Sequence, residues 1–196
     1  MNILVLNASP RVGGNISRML EEISAEAEKT QGVKIEWIDV ASLVINPCKG
    51  CMACRTGSDC LLPSDDAHRV LQLIEACDLL VVGAPTYWAN MPGMLKILFD
   101  RIVYGMLTFT PRGLPVPRHR GKHAVILTTC TAPFPFNILL RQSRGTVSAL
   151  RRILRPSGFK IVATVEVGGT HKSPVSEKTL RRCRKIITRL LAKGKF

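Results

Sequence analysis

The strongest constraint on this chain is the order of its elements: short apolar runs alternate with stretches whose apolar residues recur at helical spacing. Ile3 to Leu6 and Leu79 to Val82 are unbroken apolar runs, as expected of central parallel strands covered on both faces, and Ala124 to Thr128 is a further strand. Val33 to Val40 alternates, with Val33, Ile35 and Trp37 against Lys34 and Glu36, and Lys160 to Val167 alternates in the same way. Both read as edge strands. Between and after them come Ile16, Met19, Leu20, Ile23 and Ala27; Ala67, Val70, Leu71 and Ile74, opened by Ser64, Asp65 and Asp66; and Met94, Leu95, Leu98 and Ile102. Val147, Leu150 and Leu154 follow, bounded by Pro156 and Gly158, and Thr179 to Ala192 closes the series. Five strands alternating with five helices imply an α/β fold, a doubly wound parallel sheet joined by right-handed crossovers. With the second and fifth strands at the edges, the order is 2-1-3-4-5. A length of 196 residues suits one such domain, residues 1–196, and Gly105 to Gly121, rich in Pro, Gly and Arg, reads as an exposed insertion in it.

In that order the winding direction reverses between the first and third strands, and ligands bind where their carboxyl ends part. Two loops border this crevice. The first, Ser9-Pro10-Arg11 through Gly13, Gly14, Asn15 and Ser17, leads from strand to helix, where unpaired N–H groups and the positive end of the helix dipole suit a phosphate. It contains neither G-x-G-x-x-G nor G-K-[ST], and Asp39, placed like a ribose-binding acid, lacks the accompanying glycine pattern. The plain alternative is an ordinary turn with Asn15 as helix cap. The second loop, Thr86 to Pro92, offers Tyr87 and Trp88, which suit the faces of a flat ring, the alternative being a core or subunit interface.

The formal net charge of +14 raises the prospect of nucleic-acid binding. Against it, the basic residues of the last helix share that helix with Leu180, Cys183, Ile186, Ile187, Leu190 and Leu191, so they form its solvated face, and aromatic residues are only 5% of the chain, too few for base stacking. No apolar run approaches the roughly 18 residues that span a bilayer, and no signal-peptide pattern is present, so a cytoplasmic protein is expected. Seven cysteines, four of them in Cys48, Cys51, Cys54 and Cys60 as C-x2-C-x2-C-x5-C, fit metal or redox chemistry in a reducing compartment better than disulfides. Zinc, an iron-sulfur cluster and free thiols are all compatible with four thiols on one loop. Cys77, Cys130 and Cys183 read as core or pocket residues.

Taken together, Ser9-Pro10-Arg11 with Asn15-Ile16-Ser17, Pro85-Thr86-Tyr87-Trp88 with Met91-Pro92-Gly93, and Leu95-Lys96 up to Phe99-Asp100-Arg101 resemble the flavodoxin-like NAD(P)H-dependent FMN reductases over nearly the whole chain. The resemblance implies a flavodoxin-like fold in which Ser9, Arg11, Asn15, Ile16 and Ser17 hold the FMN phosphate. It further implies that Pro85, Thr86, Tyr87, Trp88 and Met91 line the ribityl chain and ring, with Thr129 and Cys130, in the Thr129 to Thr131 segment, on the ring's other side. The cysteine motif resembles that of the iron-sulfur flavoproteins, which implies a four-iron four-sulfur cluster on Cys48, Cys51, Cys54 and Cys60. The implied activity is hydride transfer from NAD(P)H through FMN to a flavin, quinone or other small acceptor, with no side-chain acid–base pair. A homodimer or higher homo-oligomer is implied as well. The rival readings are an electron carrier exchanging electrons with a redox protein, and a basic nucleic-acid-binding or regulatory protein.

Overall fold

A computed structural model describes residues 1–55, 59–171 and 173–192. Along the chain come β1 (Asn2–Asn7), α1 (Asn15–Ala27), β2 (Lys34–Asp39), α2 (Asp66–Ala76), β3 (Leu79–Pro85), α3 (Gly93–Arg101), α4 (Val103–Met106), β4 (Leu107–Phe109), β5 (Pro115–Pro117), β6 (His123–Thr129), α5 (Phe136–Leu139), α6 (Gln142–Leu154), β7 (Lys160–Val167) and α7 (Glu177–Ala192), with single 3-10 turns at Val40–Ser42 and Ala53–Arg55. The main sheet is parallel, in the order β2-β1-β3-β6-β7. This is the expected 2-1-3-4-5 order.

Side chains alternate along a strand, so each strand feeds two cores. Leu4, Leu6, Leu80, Val82 and Ile126 pack with Val70, Ile74, Leu95, Leu98 and Leu150 on one face. Ile3, Val5, Leu79, Val81, Val125 and Leu127 pack with Met19, Leu20, Ile23, Leu180 and Ile187 on the other. The alternating strands are indeed the edges, because β2 and β7 are each paired on one side alone.

At the carboxyl end of the β1–β3 pair, opposite Asn7, Gly83 of β3 sits beneath α1. A Cβ there would lie 2.6 Å from Ile16 Cγ2 and 2.7 Å from Leu20 Cδ1. The missing side chain is what lets the start of α1 lie close against the sheet. The helix begins without a side-chain cap: Gly14 is the cap residue, and Asn15 is the first helical residue. The alternative of Asn15 as cap is thereby corrected, since the Asn15 side chain reaches sideways, accepting from Val175 N at 2.9 Å and donating to Ser173 O at 3.4 Å. In α2 the acidic opening is a capping box, with Asp65 accepting from Ala67 N at 3.0 Å and His68 Nδ1 accepting from Asp65 N at 3.1 Å.

The segment Gly105 to Gly121 is more than an exposed insertion. It contains the end of α4 and a β4–β5 antiparallel hairpin, and it buries Met106 and His119. His119 Nε2 lies 3.0 Å from Gly105 O, and its ring stacks on Phe159 at a centroid distance of 5.0 Å. Elements of three or four residues are too short to show periodicity, so the sequence carried no sign of them.

Two outcomes follow from this packing. Gly83→Ala should lower stability by about 1–3 kcal/mol through overpacking, read as a lower midpoint in chemical denaturation. Burial, with Lys122 nearby, pushes the His119 pKa down to about 4 from an ordinary value of 6.5. The unfolded chain therefore takes up this proton first as pH falls, so the stability that neutral His119 contributes is full above 6.5 and declines toward 4. A His119→Gln variant should show a shallower loss of stability across that window.

Candidate functional site

Three segments meet at the carboxyl ends of β1, β3 and β6, together with the loop after β7. The crevice between them is lined by Ser9, Arg11, Asn15 and Ile16 from the first, by Pro85, Thr86 and Tyr87 from the second, and by Thr129, Cys130 and Thr131 from the third. Its volume is about 120 Å³. Thr170 and His171 complete the wall. These two residues were missed in the sequence, although Gly168-Gly169-Thr170-His171 directly follows the last strand, and every loop at that end of a doubly wound sheet is a candidate.

The first loop is shaped by its own polar side chains. Asn7, buried at the end of β1, accepts from Ser9 N at 3.1 Å and donates to Ser17 Oγ at 3.2 Å and to Asp39 Oδ1 at 2.8 Å. Ser9 Oγ accepts from Arg11 N at 3.2 Å, and the buried Ser17 hydroxyl donates to Arg11 O at 3.3 Å. Ser17 thus braces the loop from behind. The first turn of α1 leaves the N–H groups of Asn15, Ile16 and Ser17 without intrahelical acceptors, since the ladder begins with Arg18 N on Gly14 O at 3.0 Å. The Arg11 side chain is exposed, and among the described residues no carboxylate pairs with it. Free N–H groups, the positive end of a helix and an unpaired guanidinium are features that could hold an anion.

The second loop is a tight turn under strain. Tyr87 and Asn90 exchange both backbone hydrogen bonds at 2.9 Å, and the two residues between them, Trp88 and Ala89, have φ of 51° and 56°. A two-residue turn with both central φ positive ordinarily takes Asn and Gly. Here it carries a tryptophan at its tip, fully exposed, with Tyr87 half-exposed below. A line of hydroxyls supports the turn. Thr146 donates to Asn90 O at 2.9 Å, so its single proton is used, and Thr86 donates to Thr146 at 2.9 Å. By the same reasoning, Thr128 is the donor to Thr86 at 3.3 Å. Beneath the turn, Gly145 of α6 comes so close that a Cβ would lie 1.8 Å from Ala89 O. Met91 is buried in the core, and neither Met91 nor Trp88 is among the residues lining the crevice.

On the far wall, Cys130 is buried, and burial raises its thiol pKa against the opposing effect of hydrogen bonds to the backbone of Ala132 and Ser143. Thr170 ties the last loop down through its N–H at 3.1 Å and its hydroxyl at 2.9 Å, both on Cys130 O. Cys77 and Cys183 are core residues, each pushed up to about 11 by burial.

The remaining cysteines lie on the long loop between β2 and α2. Cys48 and Cys51 are exposed, while Cys54 and Cys60 are half-buried. The Cys54 thiol is raised by burial and then by the neighbouring Cys48 and Cys60. Arg101 anchors the far end of this loop with a completely buried side chain, donating from Nη1 to Cys60 Sγ and from Nη2 to Pro63 O at 2.8 Å, with Asp65 at 3.6 Å. Among the described residues, no three His, Cys, Asp or Glu side chains come together as a metal site. As placed, the four thiols do not form the cage that a cluster requires.

Residues 1–191 match the family model described as flavodoxin-like fold. The chain belongs to that family. Among relatives, an iron-sulfur flavoprotein of Archaeoglobus fulgidus is 39% identical over 101 residues, covering 52% of this chain and 48% of the relative. An NADH-dependent FMN reductase of Pseudomonas putida is 29% identical over 122 residues, covering 62% of this chain and 60% of the relative. The matched part thus spans about half the length of the first of these proteins and 60% of the second. Among solved structures, the NAD(P)H:quinone oxidoreductase of Methanothermobacter marburgensis superposes with a TM-score of 0.75 at 22% identity, over 97% of this chain and 96% of that one. This structural likeness concerns the flavodoxin-like fold itself.

The strain and contact at the turn can be separated by substitution. Ala89→Gly should stabilise by about 1 kcal/mol by relieving a positive φ, whereas Gly145→Ala, which meets backbone rather than a movable side chain, should destabilise by about 1–3 kcal/mol. Denaturant midpoints of the two variants would show the opposite signs.

Proposed function

We propose that this flavodoxin-like domain binds FMN in the crevice and works as an NAD(P)H-dependent oxidoreductase. The observation that carries this reading is the convergence of an anion seat, a strained aromatic turn and a third wall on one switch-point crevice. The names of relatives, iron-sulfur flavoproteins and an FMN reductase, support it.

In this reading the N–H groups of Asn15, Ile16 and Ser17 and the guanidinium of Arg11 hold the FMN phosphate. Ser9 and Ser17 keep the loop in its shape, and the Asn15 side chain fastens α1 to residues 173–175. Pro85, Thr86, Thr129 and Cys130 line the ribityl chain. A volume of about 120 Å³ is below the roughly 300 Å³ at which small-molecule pockets begin, so the crevice seats the phosphate and chain while the ring lies over its rim, beside Tyr87 and Trp88. Met91 supports that rim from the core. Bound FMN would accept a hydride from a nicotinamide and return electrons to a small acceptor such as a flavin or quinone. The protein's part is to anchor, to orient and to cover. Besides Trp88, the segment after β6 exposes Phe134, Phe136, Leu139 and Leu140, and this amount of exposed apolar surface favours a homodimer in which a second copy closes the ring site.

A second reading is favoured by the four cysteines on the loop after β2, at the same end of the sheet as the crevice. In it the loop reorganises around a four-iron four-sulfur cluster, and the protein delivers electrons to a redox partner. The two readings separate in one preparation. Protein purified without oxygen should show flavin absorbance that bleaches on addition of NADH or NADPH; iron and sulfide in equal amounts would establish the second reading, and their absence the first. A colourless protein that fails to take up FMN would overturn both. Arg11→Glu should lower FMN retention by about tenfold or more, since an attractive charge becomes a repulsive one, and unchanged flavin content would contradict the assigned phosphate seat. No helix among the described residues is long and apolar enough to cross a membrane. A cytoplasmic location is part of the same proposal.

A further inference from the structure

On the other side of the first loop lies a larger groove of about 580 Å³, within the range of small-molecule sites. It shares Ser9 and Arg11 with the crevice, but it opens toward β2, where Glu21, Trp37, Asp39 and Ser42 help to line it. None of those four residues touches the crevice.

The groove holds its chemistry in a fixed arrangement. In the sheet, Asn7 of β1 lies directly opposite Asp39 of β2. The buried Asn7 amide donates to Asp39 Oδ1 at 2.8 Å, and Trp37 Nε1 donates to the same oxygen at 3.0 Å. Both bonds fall on Oδ1, and among the described residues no side chain or backbone donor is recorded on Oδ2. A carboxylate held in place with one oxygen available, at the end of the strand next to a phosphate-type loop, is the arrangement that receives the two hydroxyls of a ribose. Half-buried Trp37 supplies an aromatic wall, and Arg11 supplies a cation at the groove's border with the crevice.

We propose that this groove is a second nucleotide subsite, which takes an adenine ribonucleotide with free 2′- and 3′-hydroxyls. The hydroxyls meet Asp39, the base lies along Trp37, and the 5′-phosphate points toward the border with the crevice, where the several donors of the Arg11 guanidinium are shared with the FMN phosphate. Resting on the function proposed above, the natural occupant is the adenosine half of the nicotinamide coenzyme. The coenzyme is then NADH, because a 2′-phosphate would be driven against the carboxylates of Asp39 and Glu21. The glycine pattern that usually accompanies such an acid is absent from the sequence, and the groove shows that the acid is nonetheless placed beside a cavity.

The test is calorimetric titration of FMN-saturated protein with 5′-AMP and with adenosine 2′,5′-bisphosphate. The expected result is one 5′-AMP per chain, bound at least about tenfold more tightly than the bisphosphate and displaced by NADH. Asp39→Asn keeps an oxygen for Asn7 and Trp37 and should reduce that preference to near unity. The proposal is overturned if 5′-AMP does not bind in the presence of saturating FMN, if the two nucleotides bind equally, if Asp39→Asn leaves the preference unchanged, or if NADH fails to displace 5′-AMP. Should the protein take up no FMN, the same titration without flavin still decides the matter. Preference for 5′-AMP that depends on Asp39 would then uphold the groove while the oxidoreductase reading failed.

Discussion

The structure depends above all on how closely the first turn of α1 can approach the sheet. Gly83 makes that approach by presenting no side chain to Ile16 and Leu20, and the loop between β1 and α1 is then drawn over the end of the sheet. Its N–H groups point where they do because Asn7, Ser9 and Ser17 have already fixed the backbone from Ser9 to Gly14. A preorganised seat of this kind would lose little conformational freedom when an anion arrived, so that a short loop with a single arginine would suffice in the proposed reading.

Around this seat the site is built from opposites. The anion loop is relaxed and heavily hydrogen-bonded, whereas the aromatic turn is strained at Trp88 and Ala89 and is kept in place by Thr146, Thr86 and the close passage of Gly145. Strain of this sort persists only where neighbouring structure insists on it. The result is a rigid rim that presents Tyr87 and Trp88 to solvent instead of burying them. A core position would have cost no strain, so the exposed placement argues for a ligand or a second subunit over these rings.

The sheet order was legible because it rests on a contrast that survives in one dimension: unbroken apolar runs for β1 and β3 against alternation in β2 and β7. The crevice was legible for the same reason, since topology places loops at the carboxyl ends whatever their detail. Other features were hidden for definite physical causes. Trp88-Ala89 carries no glycine or asparagine to announce a turn with positive φ, so its shape is imposed from outside by α6. Thr170 and His171 belong to the loop after the last strand, where no pattern of their own marks them. Met91, which the resemblance puts along the ribityl chain and ring, is buried in the core, a placement that only the folded packing reveals. Arg101 entered the sequence reading only as the end of a family motif, and its complete burial against Cys60, Pro63 and Asp65 is a tertiary fact.

The central claim is that the phosphate, more than the ring, fixes the flavin to this protein. The most direct test compares the affinity of the purified apoprotein for FMN and for riboflavin by quenching of flavin fluorescence. The account predicts that FMN binds at least about a hundredfold more tightly, because a charge-assisted set of donors is left unmatched when the phosphate is absent. Equal affinity for the two flavins would show that the loop from Ser9 to Ser17 holds no phosphate, and would contradict the account at its base.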